Sequence, residues 1–189
     1  MDYLGEVIES DTRGFTAEAK ELYGAPDFGS LVKVEYDGLA CFGIVYDVKT
    51  QGRDISRKPV AFGKTEEELM EEQPQVYALL GTWFSVLLIG YKKDGEYKGY
   101  LPPKPPKIHS FVYTCTKEEI DEVSENLNFL KTVLSDESLL GDELVAASLR
   151  FMAQFKEDRT RFLIDAGKEL VRLLKAEFDR YINIRRRIF

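Results

Sequence analysis

Few residues of this chain have the type and spacing that catalysis or ligand binding requires. The one histidine is His109, just after Pro105-Pro106-Lys107-Ile108, where a strand begins. A histidine-based hydrolase or an imidazole-containing metal site would have to use it. A titratable residue without partners is weak evidence of chemistry, so His109 reads as structural or as a surface residue. The two cysteines are Cys41 and Cys115. Two cannot build a disulfide framework or a four-cysteine zinc site. Both lie in strand-like stretches and read as small buried hydrophobes, with a single bridge between them left open.

Gly63-Lys64-Thr65 follows an apolar run and precedes a helix, which is the context of a phosphate-binding loop. That motif needs a glycine five positions earlier so that backbone amides can wrap the phosphates, and Lys58 stands there. Gly24-Ala25-Pro26-Asp27-Phe28-Gly29 has the glycine spacing, but Ser30-Leu31 follows where Lys and Ser/Thr are required. Neither reads as a nucleotide site. Glu66-Glu67-Glu68 with Glu71-Glu72 could attract a cation, but consecutive helical residues point in different directions, so a solvated face is expected. Pro102-Pro103-Lys104-Pro105-Pro106 reads as a stiff connector between strands, with docking in an aromatic groove as the lesser expectation. Arg185-Arg186-Arg187 near the C-terminus is the candidate contact for a partner or for nucleic acid. These arginines also complement the negative end of a terminal helix. No catalytic, cofactor-binding or metal residue is identified, no cofactor is implied, and the chain reads as a non-enzyme.

The elements that carry these residues fall into two textures. Residues 1–116 read as β structure, with strands at Tyr3–Ser10, Leu31–Asp37, Cys41–Val48, Pro59–Gly63, Trp83–Lys93, Glu96–Leu101 and Ile108–Thr114. Asp94-Gly95 suits a tight hairpin requiring positive φ. Short strands separated by turn signals predict a small closed barrel, which also protects strand edges. Thr65 with Glu68 has capping-box spacing and predicts a helix that stops before Pro74. Residues 117–189 read as helical. Thr116 with Glu119 forms a second capping box, and Ile120, Val123, Leu127, Leu130 and Leu134 recur at helical spacing. Ser135–Asp142 reads as a loop with Gly141 as breaker. Leu144, Leu149, Met152 and Phe155 begin another helix. A long apolar stripe from Phe162 through Leu163, Ala166, Leu170, Leu173 and Leu174 to Phe178 follows, with a bend near 156–160.

The chain has 189 residues, 44% hydrophobic and 31% charged, with a net charge of -7. That composition suits one domain, or a domain with an appendage, and neither a disordered chain nor a membrane bundle. Residues 1–117 carry 14 basic and 18 acidic residues and residues 118–189 carry 12 and 15, so neither part is a basic module. Nucleic-acid binding is therefore not favoured. The N-terminus has no basic and apolar signal-peptide pattern. In Gln73–Tyr91 the apolar part, Trp83–Ile89, falls short of the ~20 residues of a spanning helix and reads as a doubly buried strand. A cytoplasmic location without a membrane partner is expected.

The β part resembles the HAS barrel, the small barrel shared by HerA-type DNA-translocating ATPases and ATP synthase catalytic subunits. The resemblance is carried by Leu4-Gly5-Glu6-Val7-Ile8-Glu9-Ser10, Phe28-Gly29-Ser30-Leu31-Val32-Lys33-Val34, Phe42-Gly43-Ile44-Val45-Tyr46 and Leu101-Pro102-Pro103-Lys104-Pro105-Pro106. In HerA an ATPase core with its P-loop follows the barrel. Here about seventy helical residues follow, so the motor chemistry does not carry over and ATP-driven work is expected of another chain. What the resemblance implies is packing beside copies in a ring and contact with partners.

The expected architecture is thus α+β: a barrel of about six strands over 1–116, then a C-terminal α-helical extension over 117–189. The expected function is an assembly or adaptor module that self-associates or binds a HerA-like ATPase or nuclease assembly. The apolar stripe is either a partner surface or wholly consumed by packing on the barrel. A nucleic-acid-binding accessory protein and an enzyme with an unrecognised pocket are the alternatives.

Overall fold

The computed structural model describes residues 2–54, 59–136 and 140–189. Lys58 of the phosphate-loop comparison, and residues 137–139 of the expected loop, lie outside the described residues. The first hairpin pairs β1 (Gly5–Ser10) with β2 (Gly14–Ala19). Asp11 shapes its turn, Oδ1 accepting the backbone N–H of Arg13 at 2.7 Å and of Gly14 at 2.9 Å. The second hairpin pairs β3 (Leu31–Tyr36) with β4 (Leu39–Gly52) across Asp37-Gly38, both at positive φ. β4 then runs antiparallel to β5 (Leu80–Lys93) over its whole length. Asp94-Gly95 turns β5 into the short β6 (Glu96–Lys98), with φ of 52° and 84°.

Closure comes from two pairings between distant segments. β2 lies against β5, and β7 (Phe111–Thr114) fills the gap between β1 and β3. The result is a closed antiparallel barrel of six strands in the order β1, β2, β5, β4, β3, β7, with β6 outside it. Register shifts between Phe42 and Gly43 and between Val45 and Asp47 bend β4 around the barrel. The interior is filled by side chains such as Val7, Val34, Val45, Phe84, Val86 and Val112.

Three expectations need correction here. Residues 59–65 hold no strand, because β4 and β5 already have partners on both sides and leave no free edge. The helix through Ile120 and Leu134 is broken. The side chain of Asn126 accepts the N–H of Asn128 at 3.0 Å, an Asx turn that competes with the helix ladder. Gly141 opens a helix instead of breaking one, and a Cβ there would press on the Val133 carbonyl at 2.8 Å.

Between β4 and β5 the chain leaves the barrel as α1 (Glu66–Glu72) and the one-turn α2 (Gln75–Ala78). α1 starts on the expected capping box and buries none of its residues. After β7 come α3 (Lys117–Ser124), α4 (Phe129–Ser135), α5 (Gly141–Ala153), α6 (Arg159–Leu173) and α7 (Phe178–Ile188). α5 is the hub, packed against α3, α4, α6, α7 and β3. Leu31, Phe42, Ile44, Leu87 and Ile89 turn outward from the barrel and share one core with these helices. β3, β4 and β5 are therefore covered on both faces, which explains their nearly continuous apolar sequence. No helix among the described residues is long and apolar enough to cross a membrane.

Candidate interaction surface

The apolar stripe of α6 divides between two uses. Leu163, Ala166, Leu170 and, just past the helix, Leu174 are buried in the helical core. A second row, Ile164, Gly167, Lys168 and Val171, recurs one helical turn apart and faces outward. On α7, Ile184 and Ile188 are buried, while Tyr181, Arg185 and Phe189 follow at intervals of four along the neighbouring face. These two outward rows border an open groove of about 350 Å³. Ile164 is 48% exposed, Val171 49% and Phe189 66%. The groove thus has an apolar floor and a basic rim of Lys168 and Arg185.

The Ile164–Val171 row lies outside the stripe named from the sequence. Its i, i+7 spacing was the available signal, masked by the charged Asp165, Lys168 and Arg172 around it. Phe178, which the sequence placed in the stripe, is exposed.

The three terminal arginines do not act as one patch. Consecutive helical residues lie ~100° apart, so they diverge. Arg187 Nε sits 2.6 Å from Glu143 Oε1, and its backbone carbonyl accepts from Arg150. Arg185 lines the groove, and Arg186 is exposed. Neither makes an ion pair with the described residues.

Residues 4–94 match the HAS barrel domain. This part of the chain is a HAS barrel. No curated protein matches the chain. The match takes in β1 to β5 and ends in the Asp94-Gly95 turn. β7, which closes the HAS barrel, lies beyond the match together with α3 to α7, and no ATPase domain is detected in that remainder.

The other residues singled out from the sequence sit around the HAS barrel. Gly63 is exposed in a loop rather than at a strand end, and Lys64 pairs with Glu72. Gly29 of the second glycine pair has φ +87° and lies against α5, where a Cβ would fall 2.5 Å from that of Ala147. It is a packing glycine. His109 is exposed at φ 70°, its Nδ1 2.5 Å from Glu6 Oε1. Both cysteines are free. Cys41 lies inside the HAS barrel, its thiol donating to the Tyr36 hydroxyl at 3.3 Å, while Cys115 is only partly buried. Burial pushes both thiols upward from their ordinary values.

The proline run is the connector from β6 to β7. Pro102 and Pro106 are buried on the HAS barrel, and the Lys104 carbonyl accepts the Tyr36 hydroxyl at 2.5 Å. At the β1–β2 turn a pocket of about 180 Å³ is lined by Glu9, Asp11, Arg13 and Asp136. Asp11 is committed there to shaping the turn.

Proposed function

We propose that the chain is a non-enzymatic assembly or adaptor module that self-associates or binds an ATPase or nuclease assembly in DNA processing. The groove between α6 and α7 carries this reading. It is apolar, basic at its rim and uncovered, beside the rows through which α6 and α7 are buried in the helical core. Apolar surface gathered in a groove is the usual mark of a binding face. HAS barrels are typical of ATPase-associated modules, which supports an ATPase as one partner.

Mass in solution at micromolar concentration tests it, measured alone and after mixing with a HerA-like ATPase from the same cell. A mass above the 21.7 kDa of one chain, or co-elution with the ATPase, is the expected result. A strict monomer that stays apart from the ATPase would overturn it.

A further inference from the structure

The molecule carries a second unburied surface whose chemistry is the reverse of the groove. Between β4 and β5, residues 59–79 stand off the barrel. Val60 is 73% exposed, Phe62 43%, Met70 54% and Leu79 66%. Among them α1 presents Glu66, Glu67 and Glu71, all exposed and without an ion pair to the described residues. This segment is apolar and acidic. The groove is apolar and basic, with Arg185 likewise unpaired and Lys168 held only by its own neighbour Asp165. No ion pair joins the two surfaces within the chain among the described residues.

Gly167 adds an independent observation. A glycine in the middle of a helix is unfavourable relative to alanine, so it calls for a packing reason. Within the chain there is none, because a Cβ at Gly167 would meet nothing within 4 Å. It stands in the groove between Ile164 and Val171. A missing side chain on an open groove floor suits close approach by a group from outside.

We infer that the groove takes the α1 segment of a second copy of this chain. This inference rests on the proposed assembly role and names the partner. Because the two surfaces differ, the contact is head-to-tail: each copy offers its α1 segment to one neighbour and its groove to another. Repetition closes a ring or extends a filament. Glu67 and Glu71 then meet Lys168 and Arg185, while Met70 and Phe62 cover Ile164 and Val171.

Two sets of exposed substitutions test this, read by sedimentation at 1–100 μM, in roughly the range expected for weak protein contacts. The groove set is Lys168→Glu with Arg185→Glu, and the segment set is Glu67→Lys with Glu71→Lys. Each set alone is expected to give monomers with an unchanged circular dichroism spectrum. Mixed, the two variants complement each other, the acidic groove of one facing the basic segment of the other and the two unaltered surfaces matching. The mixture should therefore re-associate, as should a chain carrying both sets. Gly167→Leu, which fills the groove floor, should also give monomers. Oligomers that ignore both sets would overturn the inference, as would a wild-type chain that is monomeric at 100 μM. If that monomer still co-elutes with the ATPase, the assembly role stands and the second copy is rejected. If the groove set abolishes ATPase capture or DNA binding without any self-association, the groove belongs to that partner instead.

Discussion

Lys33 Nζ lies 2.7 Å from Glu119 Oε1, and this pair joins the barrel to its helices. Lys33 projects from β3 with its side chain 8% exposed, and Glu35 Oε1 is a second partner at 2.9 Å. Glu119 is used twice. Its Oε2 accepts the Thr116 N–H at 2.8 Å, completing the capping box that starts α3. One carboxylate thus holds both the start of the helix and the charge on the strand beneath it.

Removing Glu119 should therefore cost more than removing Lys33. Glu119→Ala leaves a buried ammonium with one outer partner and breaks the cap, at about 2–3 kcal/mol. Lys33→Met removes the buried charge itself and should cost under ~1 kcal/mol. Urea unfolding midpoints of the two variants check the order. Lys33 also sets a pH dependence. Burial alone lowers its pKa, but hydrogen bonds to Glu119 and Glu35 outweigh it and leave the value raised. Its contribution is fully present below the unfolded value of about 10.4 and is lost as pH rises through the higher folded value. The stability gap between wild type and Lys33→Met should be flat from pH 7 to 9 and shrink above roughly pH 10.5.

Gly29 and Gly38 form a matched pair for separating strain from packing. Both have left-handed φ, +87° and +73°, but a Cβ at Gly38 meets nothing within 4 Å. Gly38→Ala should cost about 1–2 kcal/mol, the conformational term alone. Gly29→Ala adds a collision with Ala147 and should cost about 2–4 kcal/mol. Thermal unfolding of the two variants reads the difference.

The thiols should be slow to react while the chain is folded. Cys41 is buried behind Tyr36, and Cys115, though partly accessible, is also held in its protonated form by burial. Thiolate, not thiol, is the nucleophile. Labelling with an aromatic disulfide reagent at pH 8 should be slow in buffer and titrate both thiols promptly in denaturant. Rapid labelling of folded protein would contradict the placement of Cys41.

Gly167→Ala should raise the stability of the isolated chain by about 0.5–1 kcal/mol, since helix propensity improves and nothing is struck. The same change should weaken self-association. Unfolding at low concentration and sedimentation at high concentration read the two effects separately. Stability without loss of association would mean the groove floor is not approached closely.

Local signals placed many of the elements. Thr65 with Glu68 and Thr116 with Glu119 mark helix starts because capping satisfies amides within three residues. Asp94-Gly95 marks a turn because its φ values depend on those two residues. Strand β2 escaped notice because Ala17 and Ala19 face inward with little apolar area, and Thr16 and Glu18 between them do not look like a strand. Small residues suffice there because Phe15 and Phe84 help fill the interior. The pairing of β2 with β5 joins Gly14 to Leu87, a contact no local pattern encodes.

The sequence by itself determined that a barrel of about six strands is followed by a helical region. It also marked the helix starts after Thr65 and Thr116 and the Asp94-Gly95 turn, because capping, turn chemistry and hydrophobic period act over a few residues. Only the tertiary structure decided which apolar residues of α6 were consumed. Leu163 and Leu170 are buried in the helical core, while Ile164 and Val171 stay half-exposed on the groove. Burial depends on which neighbours the fold brings to each face, and those neighbours come from distant parts of the chain. The same holds for Arg185, Arg186 and Arg187, adjacent in sequence and separated around α7 by its helical turn.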